Sequence, residues 1–148
     1  MKWRGCRVSG ITKDDCLFCK IVRGDIPSYR VYEDGDFLAF LDRFPRGMGH
    51  TLIVPKEHFD DLFDLPPELA GRLLPLAQRL AGRIKEATGC EGLNLVQNNG
   101  EASGQEVGHF HLHLVPRFLD DGVLLNSAKG RMDPGAEEFE VMLGKLRI

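Results

Sequence analysis

The feature that most constrains the fold of this chain is a seven-residue run in which histidine alternates with apolar residues. The run reads His109, Phe110, His111, Leu112, His113, Leu114 and Val115. Because successive side chains of a β-strand point to opposite faces, the alternation predicts a strand with three imidazoles on one face and core residues on the other. The chain must therefore build a sheet that buries one face of this strand and keeps the histidine face for another purpose.

The other patterned segments indicate that this sheet belongs to an α+β fold. Short apolar runs bounded by turn residues predict strands at 29–33, 37–42, 50–55, 93–98 and 109–116. Helices placed irregularly between strands are typical of α+β proteins rather than of repeated βαβ units. We therefore expect a mostly antiparallel five-stranded sheet with one long helix and short helices.

The long helix is predicted over 67–88. Apolar residues recur there every three or four positions, and Gly89 follows the last turn. Pro75 lies inside this segment, where a proline costs about 3 kcal/mol, so we expect it to kink the helix.

Two shorter helices are predicted at the ends of the patterned region. The first covers 16–23, where Asp14 or Asp15 is expected to cap the first turn. The second covers 134–147, which has an amphipathic pattern.

Composition and charge narrow the class of protein. The 148 residues carry a formal net charge of −3 and are 43% hydrophobic, which suits one soluble domain with its own core. We assign 14–148 to that domain and the basic, unpatterned 1–13 to a flexible N-terminal extension. No apolar run approaches the length of about 18 residues that a membrane span needs, and no basic tract marks a nucleic-acid surface. Without an export signal or a cysteine framework, we expect a cytoplasmic protein with reduced thiols.

The residues alone leave two chemical interpretations of the aligned histidines open. Two or three imidazoles can ligate one catalytic metal ion, or the central imidazole can attack phosphorus while its neighbours set its tautomer. The preceding loop, 98–105, is rich in glycine and amide side chains, which can bring neutral N–H donors close to an anion. Taken alone this loop is equally well a hairpin turn, but its place directly before the histidines favours a phosphate substrate.

Cys16-Leu17-Phe18-Cys19 places two thiols at the spacing of a metal site. A redox interpretation would need a βαβ unit around the pair, and too few patterned residues precede it. The pair supplies half of a tetrahedral zinc site, so two further ligands must come from elsewhere in the chain. The other cysteines, Cys6 and Cys90, carry no such pattern and are expected to be inert.

The alternating run resembles the signature of the histidine triad (HIT) superfamily, in which three histidines alternate with apolar residues. Segments 25–27, 37–42, 49–58 and 98–105 fall in the order of that family, so the resemblance covers about 14–118. The similarity is to the HINT-like branch, particularly its zinc-containing microbial members. It implies a HIT-like fold, a nucleotide-binding enzyme, and a homodimer that pairs the long helix and a central strand.

By this resemblance, the chain would be a hydrolase or nucleotidyltransferase similar to adenosine phosphoramidases. It would act at the α-phosphate of a purine nucleotide conjugate, either a phosphoramidate or a dinucleoside polyphosphate. His111 would be the nucleophile that forms a nucleotidyl-histidine intermediate, and His50 would orient it by fixing its Nδ1 tautomer. His113, Asn98 and Gln105 would contact phosphate oxygens.

The resemblance also implies the rest of the nucleotide site and a metal centre. Asp42 matches the acid that binds the ribose hydroxyls, although a turn-forming aspartate would look the same. The residues expected to line the base pocket, which core packing explains equally well, are Leu17, Phe18, Ile21 and Leu38. The ligands implied for a structural zinc ion are Cys16, Cys19, His58 and His109.

One position departs from the pattern of the family. Many relatives carry serine or threonine after the loop glutamine, whereas this chain carries Glu106. An ionised carboxylate there would repel a phosphate, unless it points away or binds a cationic amine of the substrate. Residues 119–148 match no pattern of the family.

Two other functions are compatible with the sequence. A metal-dependent hydrolase would hold a catalytic ion on His109, His111 and His113, and would lose activity but not its fold on chelation. A non-catalytic nucleotide-binding adaptor would keep the same pocket and release no product. Neither nucleic acid nor a membrane is expected as a partner.

Overall fold

The computed structural model describes residues 12–125, 127 and 129–148. Residues 1–11 of the extension predicted over 1–13 therefore lie outside the described residues, and Cys6 is among them. Lys13 is described, and its Nζ lies 3.1 Å from Oδ1 of Asp60 in an exposed ion pair. The flexibility of the extension stays a prediction.

The described residues form one five-stranded sheet in which all neighbouring strands are antiparallel. The strands are Arg30–Glu33 (β1), Phe37–Leu41 (β2), Thr51–Pro55 (β3), Gly92–Val96 (β4) and Leu112–Arg117 (β5). Their order across the sheet is β1-β2-β3-β5-β4, so β5 lies between β3 and the edge strand β4. The predicted α+β class and five-stranded sheet are confirmed, with the ends of the strands shifted by a few residues.

Within the described ranges, three α-helices accompany the sheet: Leu17–Arg23 (α1), Pro67–Thr88 (α2) and Ala136–Leu146 (α3). The long helix α2 is confirmed at its predicted bounds, and it is continuous through Pro75. None of these helices is both long and apolar enough to cross a bilayer. The expected cytoplasmic location stays a prediction.

The start of α1 differs from the prediction. Neither Asp14 nor Asp15 caps this helix, because the N-cap residue is Cys16. Its sulfur accepts the backbone N–H of Cys19 at 3.5 Å and so takes the place that a carboxylate would occupy. The first cysteine of the pair therefore caps the helix that carries the second.

Both faces of the sheet are covered at β2, which explains why this strand is apolar and buried at every position. Phe37, Ala39 and Leu41 join the main core with α2 and α3, whereas Leu38 and Phe40 join a smaller cluster with α1. The alternation of side chains along the strand separates these two sets. The smaller cluster supports the face of the sheet on which α1 lies.

The histidine run is only partly a strand. β5 begins at Leu112, so the predicted start of the strand at position 109 is wrong. The N–H of Phe110 instead donates to the carbonyl of Phe59 at 2.7 Å, and Nε2 of His109 lies 2.9 Å from the carbonyl of Pro55. Because these groups bond to the chain at and beyond the end of β3, they do not continue the ladder.

The two faces predicted for the run are nevertheless confirmed. Phe110, Leu112 and Leu114 are buried in the main core. On the opposite side, the ring of Phe18 in α1 meets the rings of His109 and His111 edge to face. The histidines therefore face α1, where the smaller cluster lies.

Gly49 precedes His50 and takes a φ of 97°, which residues with a side chain rarely adopt. A Cβ there would lie 3.0 Å from Cγ2 of Thr88, whose hydroxyl is bonded to the carbonyl of Ile84. We expect Gly49→Ala to lower the free energy of unfolding, measured with urea, by about 1–3 kcal/mol. Gly82→Ala, in an open position on α2, is the control and should not destabilise. Equal stability of the two variants would contradict this prediction.

Candidate active site

A cavity of about 1100 Å³ opens on the histidine face of the sheet. The predicted catalytic and phosphate-binding residues that line it are His50, Asn98, Gln105, His111 and His113. Asp42, the predicted ribose ligand, lines the same cavity. The fold therefore brings together side chains that lie up to 71 residues apart in sequence, from Asp42 to His113.

The apolar wall of the cavity is formed by α1 and β2. Leu17, Phe18 and Ile21 line it, as predicted for a base pocket. Leu38 does not, because its side chain is completely buried in the smaller apolar cluster. Phe40, the next residue on that face of β2, lines the cavity in its place. The apolar wall available to a base thus contains Phe40 rather than Leu38.

His111 presents one free ring nitrogen to this cavity. Its Nδ1 lies 2.7 Å from the carbonyl oxygen of His109, which can only accept, so Nδ1 carries the proton. Among the described residues, no group is hydrogen bonded to Nε2. Burial lowers the pKa of His111 below its usual value, despite opposing contributions from the His109 carbonyl and Glu106. At pH 7 the ring is therefore neutral, with the lone pair on Nε2 available.

His50 contacts His113 rather than His111, so the prediction that His50 fixes the Nδ1 tautomer of His111 is wrong. The backbone N–H of Arg46 donates to Nδ1 of His50 at 3.1 Å, which leaves the proton of neutral His50 on Nε2. Across 2.9 Å, Nε2 of His50 donates to Nδ1 of His113. The proton of neutral His113 must then sit on its Nε2. The backbone N–H of Arg46 and the imidazole of His50 thus orient His113 as a hydrogen-bond donor.

Both imidazoles of this relay are neutral. Burial lowers the pKa of His50 well below its usual value and lowers the pKa of His113 to about 3. The positive charges of Arg46 and Arg131 act in the same direction. At pH 7 His113 therefore offers the cavity a neutral N–H donor and not a cation.

Asp42 keeps one carboxylate oxygen for the protein and one for the cavity. Its Oδ1 accepts the N–H of Phe44 at 2.9 Å, while its Oδ2 lies 3.6 Å from Nε2 of His50. Burial raises the pKa of Asp42, against opposing effects of that N–H and of the nearby arginines. The second oxygen is placed to accept a hydrogen bond from a hydroxyl group in the cavity.

The two loop amides differ in how far they are committed to the protein. Nε2 of Gln105 donates to the carbonyls of Asp60 and Val107 at 2.7 and 2.9 Å, and its Oε1 accepts the N–H of Gly100 at 2.7 Å. Gln105 therefore shapes the loop and has no spare N–H. The side chain of Asn98 makes one long bond in the described part of the chain, of 3.5 Å to a loop carbonyl, and keeps a second N–H for the cavity.

A second cluster lies beside the cavity. It is formed by four residues whose ligand atoms all lie within 4.8 Å of one another, namely Cys16, Cys19, His58 and His109. Sγ of Cys19 lies 3.3 Å from Nδ1 of His58 and 3.5 Å from Nδ1 of His109, and Sγ of Cys16 lies 3.4 Å from Nδ1 of His109. In a tetrahedron with Zn–S of about 2.3 Å and Zn–N of about 2.0 Å, sulfur and nitrogen are about 3.5 Å apart. The distances in the cluster fit such an ion.

The groups around the cluster also suit a metal. The second ring nitrogen of each histidine is hydrogen bonded, Nε2 of His58 to Asp60 at 2.8 Å and Nε2 of His109 to the Pro55 carbonyl at 2.9 Å. Metal-bound histidines usually carry such a partner, which orients the ring. Burial raises the pKa of Cys19 to about 11, so a thiolate there requires a cation beside it.

The three histidines of the run do not share one point. Nδ1 of His109 faces the cysteines, Nδ1 of His111 is bonded to a carbonyl, and His113 is bonded to His50. A further close group in the described chain is Asp42, His50 and His113, but its two imidazoles are already bonded to each other. The ligand set of a metal-dependent hydrolase on His109, His111 and His113 is not formed by the described residues.

Arg46, Asp60 and Arg131, like Phe40, belong to the site but are not predicted by the sequence. Asp60 could have been found, because it follows the expected ligand His58 by two positions. Arg131 lies 25 residues from its partner Glu106, in the segment that matches no pattern, so no local signal indicates it.

The chain is similar to proteins from bacteria and yeast over most of its length. A family model described as HIT domain matches residues 23–120. The chain is 44% identical over 105 residues to Protein hit of Bacillus subtilis, which is 71% of this chain and 72% of that protein. It is 44% identical over 102 residues to adenosine 5'-monophosphoramidase HNT1 of Saccharomyces cerevisiae, which is 69% of this chain and 62% of that protein.

Among solved structures, the chain resembles that of a Zn-bound histidine triad family protein from Mycobacterium smegmatis. The TM-score is 0.78 at 40% sequence identity, and the match covers 89% of this chain and 93% of that one. At this level of identity the likeness extends beyond the fold to the sequence itself.

Proposed function

The chain belongs to the HIT family, and on that premise we propose that it is a nucleotidyl hydrolase or transferase acting at the α-phosphate of a purine nucleotide conjugate. The conjugate is a phosphoramidate or a dinucleoside polyphosphate. The relative named adenosine 5'-monophosphoramidase supports hydrolysis of a nucleotide. The observation that carries the proposal is the state of His111, which is neutral, held through Nδ1, and free at Nε2 in a cavity of nucleotide size.

The proposed reaction has two steps at phosphorus. Nε2 of His111 donates its lone pair to the α-phosphorus, and the bond from phosphorus to the leaving group breaks with its electron pair passing to that group, which takes up a proton from solvent. Water then attacks the nucleotidyl-imidazole and loses a proton to solvent, the bond from phosphorus to nitrogen breaks with its electron pair returning to Nε2, and the neutral ring is restored. Both steps build charge on the phosphoryl oxygens, so fixed hydrogen-bond donors around them lower the barrier.

His113 and Asn98 supply such donors in the proposed site. The relay through His50 keeps a proton on Nε2 of His113, and Asn98 keeps a spare amide N–H. Asp42 would accept the ribose hydroxyls through its second oxygen. Gln105 would act by holding the loop in shape, because both of its N–H groups are bonded to backbone carbonyls.

We propose that the cluster of Cys16, Cys19, His58 and His109 holds a structural zinc ion. The sulfur–nitrogen distances and the Zn-bound relative from Mycobacterium smegmatis support this. When bound, the ion would keep the thiols deprotonated and cross-link α1 to His58, which follows β3, and to His109, which precedes β5. Four protein ligands would fill the positions that zinc takes in structural sites, so substrate would have no position on the ion.

Incubation with adenosine 5'-phosphoramidate tests the proposed activity. We expect AMP to be released well above the uncatalysed background, since the site supplies both a nucleophile and fixed donors. Chromatography of the nucleotides measures the release, and a dinucleoside polyphosphate assayed in parallel identifies the preferred conjugate. A nucleotide-binding adaptor would bind AMP and release none from either compound, and that result would overturn the proposed activity.

We propose, finally, that the chain forms a homodimer. β4 is an edge strand of the described sheet, and such edges are usually covered by another element or another chain. On β4 the side chain of Leu95 is 47% exposed, and on α2 that of Leu74 is 64% exposed. A second copy of the chain would cover apolar groups on α2, the long helix that the resemblance assigns to the interface, and on β4, which is an edge strand of the described sheet and not the central strand that the resemblance implies.

A further inference from the structure

Glu106, the position that departs from the pattern of the family, is paired with Arg131 at the mouth of the cavity. Nη2 of Arg131 lies 2.8 Å from Oε1 of Glu106, and Nη1 lies 3.3 Å from Oε2, so the guanidinium and the carboxylate meet through two contacts. Both residues line the cavity that contains His111. The side chain of Glu106 is 65% exposed, which places the pair at the opening of the cavity and not in the core.

The segment that carries Arg131 is attached to the loop between β2 and β3. The N–H of Met132 donates to the carbonyl of Pro45 at 2.8 Å. From the same loop, Arg46 donates to two carbonyls of the segment, one of them that of Leu124 at 2.6 Å. Arg131 is therefore held opposite Glu106 by backbone contacts on either side of it.

The pair adds two opposite charges to the cavity of the nucleophile, which Asp42 and Arg46 also line. Arg131 lowers the pKa of Glu106, so the carboxylate is ionised and its charge is matched by the guanidinium. Glu106 is close enough to His111 to affect that ring electrostatically, and both residues line the same cavity. Without Arg131, an unmatched carboxylate would stand beside the place that a phosphoryl group must occupy, and like charges repel.

We propose that Arg131 is a positioning residue that holds and neutralises Glu106, so that a nucleotide phosphate can bind beside His111. The role rests on the proposed function, since it concerns the phosphate of the same substrate. This role gives a function to the segment after β5, for which the sequence predicts none. Glu106 and Arg131 act as one unit in phosphate binding. Without Arg131, Glu106 would weaken phosphate binding. Without Glu106, Arg131 would be dispensable.

A double-mutant cycle read on nucleotide binding tests this role. Arg131→Ala is expected to raise the Kd for AMP and the KM for adenosine 5'-phosphoramidate by about 10-fold or more, with kcat changed much less, because the freed carboxylate opposes phosphate binding. In the Glu106→Gln background, the same substitution should change the Kd by less than about 3-fold. Arg131→Lys, which keeps the charge but not the two-pronged geometry, should fall between these values. Calorimetric titration with AMP measures each Kd.

The control is Arg72→Ala, which removes an exposed arginine paired with Asp36 outside this cavity and should leave the Kd unchanged. Two results would overturn the proposal: an unchanged Kd for Arg131→Ala, or an equal loss of affinity in both backgrounds. The second would mean that Arg131 binds phosphate directly or only supports the fold. If the wild type binds AMP but releases none from the phosphoramidate, the proposed activity fails while the cycle still decides the role of Arg131. If it binds no AMP, both are overturned.

Discussion

His111→Ala is expected to lower kcat/KM for adenosine 5'-phosphoramidate at least about 10³-fold. The substitution removes the nitrogen that attacks phosphorus, and no other ring in the cavity can replace it. The Nδ1 of His113 is bonded to His50, and its Nε2 carries a proton. Losses of this size are usual when a covalent nucleophile is removed, because the remaining groups only bind and orient the substrate. Steady-state kinetics at pH 7 measures the change.

Two further measurements distinguish loss of the nucleophile from loss of substrate binding or of the fold. His111→Ala should bind AMP within about 10-fold of the wild type, because the donors of His113 and Asn98 remain. Mass spectrometry of wild-type protein, quenched during turnover without acid, should show the nucleotidyl group on the peptide that contains His111. A loss of kcat/KM below about 10-fold would contradict the assignment, as would an adduct on another residue. A metal-dependent hydrolase would form no adduct at all.

The fold was largely predictable because most of its helices and strands follow from the spacing of apolar residues along short segments of the sequence. Residues 67–88 repeat at helical spacing, and the apolar run of β2 lies between turn residues, so both elements could be placed without knowledge of the tertiary structure. The start of β5 could not. Phe110 is bonded to Phe59 and not to the neighbouring strand, a contact between distant segments that no pattern in the run itself reveals.

The same distinction applies to the site. The histidine run and the cysteine pair indicate nucleophilic and metal-binding chemistry, because such chemistry needs these residue types at short spacing in the sequence. The tautomers do not follow from residue types. The backbone N–H of Arg46 determines which nitrogen of His50 carries a proton, and His50 in turn determines which nitrogen of His113 does. Likewise the carboxylate of Glu106 looks incompatible with phosphate until Arg131 is placed beside it.

Removal of metal is expected to destabilise the wild-type protein strongly. An ion that binds only the folded state adds about 4 kcal/mol to the free energy of unfolding when its free concentration is 1000 times Kd. In this chain it would also hold His109, whose carbonyl fixes Nδ1 of His111. We therefore expect a chelator to lower the free energy of unfolding by about 4 kcal/mol relative to protein with excess zinc. Urea denaturation with and without zinc measures this difference. A metal-dependent hydrolase would instead lose activity while keeping its stability.

Cys19→Ser is expected to remove that zinc dependence. The sulfur of Cys19 lies within 3.5 Å of both ligand nitrogens, and a neutral hydroxyl in its place is a far weaker zinc ligand than a thiolate. Cys90→Ser is the matched control, since Cys90 is also buried but lies in the main core away from the cluster. Both substitutions disturb packing, so the informative quantity is the difference in unfolding free energy between zinc-loaded and chelated protein, in which that disturbance cancels. The difference should stay near about 4 kcal/mol in Cys90→Ser and fall below about 1 kcal/mol in Cys19→Ser. If zinc stabilised both variants equally, the ion would be bound elsewhere and the four-residue cluster would not be its site.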